Sequence, residues 1–360
     1  MTSVTYVFGD ILTGEVIQEI SCSGVSMSRG FGQGELRASF ALDQSGKDNR
    51  DLLAATQEGR CYIIAERNRT PIWGGIVWSR TYQSQAKVFE LYCRAFEHYP
   101  EYRFVRSDQT YTDLEQRNIF RSLWSAMMAD ANSIKVDLPS SFTTAITKSL
   151  TIKAFEFKTY REVMDSVANG GPVDGFDWTI DIARISGGVY TKTLRIGYPT
   201  LGSVEPVIFD YPGQILNYWQ NGTMAKHGTH IYGLGAGEGS TMLTQEVIHA
   251  DLLSGGFPRY DVGVSLKDIN SASLLTSLSV QAADVRKAGR PIMTVEIVGK
   301  QEPEFGSYGL GDAAKIFFRD PRHPDPADRV FTSRILGWEY YPPSDDYIEF
   351  TRLVFEGEDL

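Results

Sequence analysis

Four glycines occupy alternate positions in the stretch Tyr-Gly-Leu-Gly-Ala-Gly-Glu-Gly-Ser at residues 232–240. Glycine-rich turns bind nucleotide phosphates when a helix follows, because backbone N–H groups can then point at the phosphate. The dinucleotide pattern G-x-G-x-x-G fails, since its third glycine would fall on Glu238 counted from Gly233 or on Ser240 counted from Gly235. A P-loop would need a lysine after the last glycine, where Ser240 stands. We therefore predict no nucleotide site and interpret the glycines as places where a strand or crossover closely approaches other backbone.

His227 and His230 are the best candidates for metal ligands, with Glu246 and His249 nearby in sequence. Residues three apart point to opposite faces of a strand, so both imidazoles converge there only across a turn. On a helix they would share a face, but Gly228 between them disfavours a helix. We predict no metal or other cofactor, and a zinc site at these histidines is the alternative.

Asp174, Asp177 and Asp181 are the carboxylates whose spacing suggests a calcium site or an acid–base pair. The calcium-loop pattern D-x-[DN]-x-[DN]-G is not matched. Apolar Trp178 and Ile180 lie between the last two carboxylates, which is typical of a half-buried strand with aspartates on its solvated face. We interpret these residues as solvent-facing rather than catalytic.

The usual nucleophile patterns are missing. The sequence contains no G-x-S-x-G elbow, and no cysteine has a histidine partner suggested by spacing. The three cysteines, Cys22, Cys61 and Cys93, are odd in number and far apart, which favours buried strand residues over a disulfide framework or metal site. We predict no catalytic residues and no enzyme.

Composition and charge exclude several classes of protein. The 360 residues are 42% hydrophobic and 22% charged, as in ordinary globular proteins, with room for two or three domains. The net charge of -10 lacks the basic footprint of a dedicated nucleic-acid binder. Arg94, Arg103 and Arg106 form a small basic cluster that we interpret as ion pairs rather than a phosphate site.

The sequence shows neither an apolar run of about 18 residues nor a charged-then-apolar signal peptide at its N-terminus. We expect no membrane segment, synthesis in the cytoplasm, and no Sec-dependent export.

The first hundred residues show the two-residue alternation of antiparallel strands. ELRASFAL alternates apolar and polar residues, and CYIIAE, IWGGIVWS and VFELYCRAF follow at short intervals. Gly74 and Gly75 inside an apolar strand are typical of a bulge or a barrel corner. We predict a first small barrel over residues 1–102, and the segment from about 200 to 240 is a candidate for completing it.

Between residues 103 and 199 the pattern changes to helices and a hairpin. T-x-x-E sequences at Thr112–Glu115 and Thr159–Glu162 are typical of capping boxes, and the second helix should end at residues 169–172, Asn-Gly-Gly-Pro. FDWTIDIA and YTKTLRIG, joined at residues 186–188 by Ser-Gly-Gly, predict a hairpin. We predict an α+β insertion.

The last third returns to strands. A helix is expected over about 271–288, stopped by Gly289 and Pro291, and PIMTVEIVG, AKIFFRD, RVFTSRILGWEYY and YIEFTRLVF follow as strands. We predict a second barrel over 241–360. The fold class is therefore α+β and β-rich, with two small antiparallel β-barrel domains flanking the insertion.

The order of these segments resembles the baseplate hub family of tailed bacteriophages, which includes the N-terminal hub module of siphophage tail-associated proteins. PIWGGIV followed by VFELYCRAFEHYPEYRFV resembles the family's first barrel, and the hairpin and IYGLGAGEG resemble its middle. FPRYDVGVSLKDI, the following helix and YGLGDAAKIFF resemble its second barrel. No single motif carries the resemblance, which rests on segment order over nearly the whole chain.

The resemblance implies a structural virion protein of the tail tip, without catalytic residues. Its copies would form a homotrimer with two barrels per subunit around a channel. The implied partners are the distal tail protein, the C-terminus of the tape-measure protein, and other minor tail or receptor-binding proteins. The ring would take part in host attachment and genome delivery. The sequence lacks the long C-terminal extension that often carries a lysin, so wall hydrolysis and receptor recognition are expected of other tail proteins.

Two competing functions stay open. The first is a distal tail ring or another minor tail protein, which copy number would distinguish from a hub. The second is a tail-associated cell-wall hydrolase, for which only the histidine and aspartate sets above are available.

The net charge of -10 suggests a channel lined by carboxylates that repels DNA, with Glu238 and Glu246 as candidate lining residues. The alternative is that the acidic residues serve only solubility.

Overall fold

The computed structural model describes residues 3–42, 44, 46–143, 146–168, 175–185, 188–221, 227–267, 269, 271–287, 292–344 and 348–355. Several positions used in the sequence predictions lie outside these ranges: Asp174, the helix stop at 169–172, the hairpin-turn residues 186 and 187, Gly289 and Pro291.

Strands dominate the described chain. They are β1 (Val4–Asp10), β2 (Val16–Glu19), β3 (Ser23–Gly30), β4 (Gln33–Ala41), β5 (Cys61–Arg67), β6 (Thr70–Gln83), β7 (Val88–Ala95), β8 (Gln109–Glu115), β9 (Thr147–Ile152), β10 (Asp177–Arg184), β11 (Tyr190–Gly197), β12 (Val207–Tyr211), β13 (Ile215–Asn221), β14 (His230–Leu234), β15 (Thr244–Ile248), β16 (Asp261–Ser265), β17 (Ile292–Val298), β18 (Ala313–Phe318), β19 (Val330–Tyr341) and β20 (Phe350–Phe355). The α-helices are α1 (Asn49–Ala55), α2 (Gln116–Ala129), α3 (Tyr160–Ala168), α4 (Ala250–Ser254) and α5 (Ala272–Val285). The β-rich α+β character expected from the sequence is confirmed.

The chain divides into two compact units. The first takes the described residues of Met1–Ala168, Phe176–Asn217 and Val295–Val354. The second takes those of Asn169–Gly175, Tyr218–Thr294 and Phe355–Leu360. The three sequence-derived ranges, 1–102, 103–199 and 241–360, remain predictions of domain organisation.

One large open sheet contains strands from both ends of the sequence. Its order is β13-β17-β20-β19-β3-β4-β7-β6-β5-β1-β2, with β18 also on β19 and β12 on β18. The link between the two ends is the antiparallel pair β3–β19, in which Gly30 lies opposite Gly337. No sheet among the described strands closes on itself, so the two small barrels expected from the sequence are not confirmed. Strand periodicity indicates which face is buried, but it does not specify the partner strand.

The core of the first unit lies between this sheet and the α2, α3 and β10–β11 segment. Sheet residues such as Ile64 and Ile76 belong to the same buried cluster as Phe120 and Trp124 of α2 and Met164 of α3. The amphipathic spacing of the two helices therefore faces apolar sheet side chains.

The two predicted capping boxes have different outcomes. At α3, the Thr159 hydroxyl accepts from the Glu162 N–H at 3.1 Å, and Glu162 Oε2 accepts from the Thr159 N–H at 2.7 Å, so this box is confirmed. At α2, the first box is wrong: Thr112 lies in β8, and Glu115 is itself the N-cap, accepting from the Asn118 N–H at 3.0 Å. Leu114 and Glu115, which the prediction placed in the first turn of the helix, pair with β9 instead.

Gly74 and Gly75 lie where β6 approaches other elements. A Cβ at Gly74 would come within 2.3 Å of Ile182 Cδ1, and one at Gly75 within 2.2 Å of the Arg94 carbonyl oxygen. The bulge of this strand comes slightly later, where the β6–β7 register shifts between Val77 and Ser79. The glycines therefore allow close packing beside the bulge.

Candidate functional site

The glycine-rich stretch lies in the second unit, on a three-stranded sheet. Strand β14 is central, with β15 antiparallel and β16 parallel to it, and α5 packs on β14 and β15. A Cβ at Gly233 would lie 1.9 Å from the Ser279 hydroxyl, and one at Gly235 would lie 3.0 Å from Leu275 Cδ2. These two glycines therefore let helix α5 lie directly against the strand, in agreement with the close-approach interpretation.

The structure does not bring the histidines into a common ligand set. His230 Nδ1 lies 3.2 Å from the Thr229 hydroxyl, and His249 Nε2 lies 3.0 Å from the carbonyl oxygen of Ala283. Glu246 accepts from the Tyr232 hydroxyl at 2.7 Å instead. Within the described ranges, no group of three or more His, Cys, Asp or Glu side chains could hold a metal ion.

The described aspartates of the hairpin are ion-paired separately. Asp177 contacts Arg334 and also accepts from the Leu201 N–H at 2.9 Å. Asp181 pairs with Arg195 of the neighbouring strand at 3.0 Å. These interactions neutralise each carboxylate on its own and form no acid–base pair.

Two arginines of the small basic cluster form ion pairs, as expected. Arg94 lies 2.9 Å from Glu101, and Arg103 contacts Asp130. Arg106 is exposed.

The cysteines are free thiols, and Cys61 and Cys93 are buried. Burial raises the pKa of both thiols, so neither supplies a thiolate nucleophile near neutral pH.

The candidate channel carboxylates differ in their surroundings. Glu238 is exposed, whereas Glu246 is bound to Tyr232 and lies 3.9 Å from Arg259.

A cavity of about 370 Å³ opens in the first unit beside Arg29, Asp181, Tyr308 and Trp338. The charged groups around it already have partners. Arg29 lies 3.2 Å from Glu97, whose side chain also accepts from the Ile180 N–H at 2.9 Å. The Thr179 hydroxyl also donates to Glu97 at 3.0 Å, so Glu97, in the 3-10 helix Phe96–Tyr102, joins Arg29 of β3 to the backbone and a side chain of β10.

A second buried network joins the end of β5 to the C-terminal part of the sequence. Arg67 Nε donates to Glu349 Oε1 at 2.6 Å, and the Tyr340 hydroxyl donates to the same oxygen at 2.7 Å. The remaining Arg67 donors bond the carbonyl oxygens of Gly299 and Phe305, at 2.9 and 3.1 Å, and the Glu304 carboxylate at 3.2 Å. Both charged side chains are nearly fully buried, so their role is to hold distant segments together.

Sequence reasoning missed both buried networks. Arg29 and Glu97, and likewise Arg67 and Glu349, are far apart in sequence and share no motif. The available signal was a charged residue at the end of an apolar strand, such as Arg67 at the end of β5. Such a position does not indicate which residue pairs with the charge.

No family model matches the chain, and no curated protein matches it. Solved structures do match, over nearly the whole chain. The 43 kDa tail protein of prophage MuSo2 from Shewanella oneidensis superimposes with a TM-score of 0.65 at 10% identity, covering 98% of both chains. A tail protein from Neisseria meningitidis MC58 gives 0.63 at 10% identity, covering 98% of this chain and 96% of its own. A prophage tail protein from Listeria monocytogenes EGD-e gives 0.57 at 9% identity, covering 97% and 94%.

A chain of the Francisella PdpA–VgrG complex also matches, with a TM-score of 0.59 at 7% identity, covering all of this chain and 59% of its own. The protein therefore has the fold of phage tail proteins, and the tail-protein resemblance read from segment order is confirmed at that level. No helix in the described part of the chain combines the length and apolarity needed to cross a bilayer.

Proposed function

We propose that the protein is a structural component of a phage tail tip, a hub whose three copies form a ring at the distal end of the tail. The observation that carries this proposal is similarity of fold, over at least 94% of both chains, to three tail proteins, two of them from prophages. The candidate metal-binding and acid–base residues support a structural role, because His230, His249 and the two described aspartates are bonded within the fold.

The open sheet of the first unit supports assembly into a ring. Among the described strands, β2 pairs only with β1 and β12 only with β18, so each is an edge strand of the sheet. Uncovered edges promote uncontrolled association, and a ring in which each copy contacts a different surface of its neighbour covers them in a closed assembly. This favours a cyclic homotrimer over a solitary chain.

The proposed ring connects the tail tube and distal tail ring to the tip proteins. Its partners are the distal tail protein, the C-terminus of the tape-measure protein, and minor tail or receptor-binding proteins. It takes part in host attachment and genome delivery within the virion.

Copy number in purified particles tests the hub role. Quantitative mass spectrometry of tails, calibrated on the tail-tube protein, should give three copies per particle, with three-fold symmetry at the tip in a reconstruction. Six copies would assign the chain to a distal tail ring, and absence from the particle would refute the tail role.

The hydrolase alternative is tested by a zymogram on host cell walls. We expect no clearing by the purified chain. Clearing that disappears in an Asp181→Asn or His230→Ala variant would establish an enzyme.

A carboxylate-lined channel is the proposed reason that DNA passes without binding. Neutralising phosphates with Lys or Arg releases counterions and gives salt-sensitive affinity, which would oppose sliding. We expect no measurable binding of the assembled ring to duplex DNA at low salt. Tight binding that weakens steeply with salt, or a positive channel wall, would refute this point and leave the hub role standing.

A further inference from the structure

The cavity beside Arg29 is large enough for a small molecule. It has a volume of about 370 Å³, and all of its lining residues belong to the first unit. They come from strands β3, β6, β10, β11 and β19 and from two loops, at 201–202 and within 305–312. Pockets for small molecules range from about 300 to 1,000 Å³, so this one suits a ligand at the small end of that class. We call it the Arg29 cavity.

The longer of the two loops is fixed at both ends. At its start, the Phe305 carbonyl oxygen accepts from Arg67 at 3.1 Å. At its end, Asp312 accepts from the N–H groups of Gly309 and Ser203, at 2.8 and 2.7 Å. The lining is therefore formed before a ligand arrives, which lowers the entropic cost of binding.

The charged side chains of the Arg29 cavity keep unused hydrogen-bonding groups. Arg29 makes its side-chain hydrogen bonds through Nη2, so Nη1 donates to no residue of the described chain. Arg195 donates through Nη1 to Asp181 Oδ2 at 3.0 Å. Its other N–H groups, and Asp181 Oδ1, have no partner among the residues that the structure describes. The cavity therefore offers both donors and acceptors to a ligand.

The charges at the Arg29 cavity are balanced. Arg29 is paired with Glu97, and Arg195 with Asp181. Asp312, the other carboxylate of the lining, is bonded to two backbone N–H groups. An anionic ligand would lie beside carboxylates and a cationic one beside guanidinium groups, so a net charge of either sign is disfavoured. A wholly apolar ligand would desolvate these groups without replacing their bonds to water. The cavity therefore suits a neutral ligand with its own donors and acceptors.

The apolar surface of the Arg29 cavity is aliphatic. Its aromatic residues, Phe305, Tyr308 and Trp338, are only 4–5% exposed. Ile72 and Leu310 of the lining are half-buried and keep part of their surface open. A nucleobase would need an exposed ring on which to stack, so a nucleoside is disfavoured.

The edge of β10 at the Arg29 cavity is already occupied. Peptides often bind by adding a strand to the edge of a sheet. Strand β10 pairs with β11 on one side. On its other side, the Ile180 N–H donates to Glu97 Oε1 at 2.9 Å, and the Ile180 carbonyl accepts from Arg29. A peptide strand would have to displace both buried side chains, so this class is disfavoured as well.

We propose that the Arg29 cavity binds a small neutral saccharide, a mono- or disaccharide. Each sugar hydroxyl both donates and accepts, so neighbouring hydroxyls can bond the unused N–H groups of Arg195 and Oδ1 of Asp181 together. Another hydroxyl accepts from Arg29 Nη1, and the C–H groups of the sugar ring pack against Ile72 and Leu310. Binding of the saccharide does not depend on the hub role. That the saccharide belongs to a host surface rests on the function proposed above.

Saturation-transfer NMR of the isolated full chain tests the site. The probes are glucose, galactose and N-acetylglucosamine. The matched controls are glucuronate and galacturonate, which carry a carboxylate, and glucosamine, whose amine is largely protonated at neutral pH. We expect saturable, millimolar binding of at least one neutral sugar, as is usual for a ligand of about a dozen non-hydrogen atoms. Its charged counterpart should bind at least tenfold more weakly.

Two variants connect binding to the cavity. Arg195→Met and Asp181→Leu each remove a hydrogen-bonding group of an ion pair that is about half exposed. Each should weaken binding at least tenfold, because a charged partner is lost, while the melting temperature changes by at most about 4 °C. Arg259→Met is the matched control. It removes an equally exposed arginine of an Arg–Asp pair in the second unit and should leave binding unchanged.

Each contrary outcome overturns the proposal. If none of the three neutral sugars binds at millimolar concentration, the cavity is not a saccharide site. Binding that is unaffected by Arg195→Met and Asp181→Leu would lie elsewhere on the protein. Tighter binding of a uronate would assign the cavity to anions, and binding of N-acetyl-alanine amide that both variants abolish would assign it to peptides. None of these measurements depends on copy number in particles, so the hub proposal fails or stands separately.

Discussion

Replacing Arg67 by methionine is expected to destabilise the first unit far more than replacing an exposed arginine. The side chain of Arg67 is 7% exposed, and that of its partner Glu349 is 1% exposed. Methionine fills a similar volume without charge. The substitution therefore leaves the buried Glu349 carboxylate without its guanidinium partner, while the Tyr340 hydroxyl still donates to it.

The magnitude follows from the groups left without partners. Removing one member of a buried ion pair costs about 3–5 kcal/mol. The carbonyl oxygens of Gly299 and Phe305 also lose their bonds to the guanidinium. For a unit of this size, about 4 kcal/mol corresponds to a fall in melting temperature of roughly 8–16 °C.

Calorimetry and urea unfolding followed by tryptophan fluorescence measure this effect. Arg195→Met is the control, because the Arg195–Asp181 pair is about half exposed and should contribute at most about 1 kcal/mol. The double variant Arg67→Met, Glu349→Leu removes both charges. It should lose clearly less stability than the two single variants would lose together.

Two results would refute this reasoning. The first is a cost for Arg67→Met no larger than that for Arg195→Met. The second is strict additivity in the double variant, which would mean that the two charges do not interact in the folded protein.

Three further expectations follow from the described contacts. A Cβ at Gly202, whose φ is 95°, would lie 2.1 Å from the Gly311 carbonyl carbon, so Gly202→Ala should cost at least about 2 kcal/mol in urea unfolding, and a neutral result would contradict the close approach. Thr159→Ala removes the N-cap of α3 and should cost about 1 kcal/mol, whereas Thr159→Ser should cost little; equal losses would argue against the cap. Burial and then the Glu349 carboxylate raise the pKa of Tyr340 above its ordinary value of 10.0, so the folded protein keeps this phenol protonated where the unfolded chain loses the proton. Stability should therefore be full below pH 10 and fall above it by about 1.4 kcal/mol per pH unit for this group. Tyr340→Phe should reduce that slope, and an unchanged slope would contradict the assignment.

Local patterns predicted local structure well. The Thr159–Glu162 box begins α3 with the expected hydrogen bonds, and FDWTIDIA and YTKTLRIG pair as the antiparallel strands β10 and β11. In both cases the interacting residues are close in sequence, so composition and spacing carry the information.

Pairing between distant strands could not be predicted. The alternation in ELRASFAL indicates which side chains of β4 are buried, but nothing in it shows that the adjacent strand β3 pairs with β19. The described strands from both ends of the sequence form one open sheet, and the expected separate barrels are not confirmed. The prediction for Thr112 failed for a similar reason at shorter range. Thr112 lies in β8, which pairs with β9, so it cannot act as the N-cap of α2.

The candidate sites also differ in whether their interacting residues are close together or far apart in sequence. The close approach at Gly233 followed from the density of glycine in the stretch, whereas the Arg67–Glu349 pair joins residues 282 positions apart and leaves no local signal.

The β3–β19 pair also has a consequence for synthesis of the chain on the ribosome. Strand β3 is made early, but its partner is made only after roughly 300 further residues, which takes about 15–60 s at ordinary translation rates. During that interval one side of β3 has no native partner, and nascent chains on the same messenger can pair there with one another. The yield of native protein in a cell is therefore set by competition between elongation and contact among neighbouring ribosomes, and slower initiation should raise it more than slower elongation.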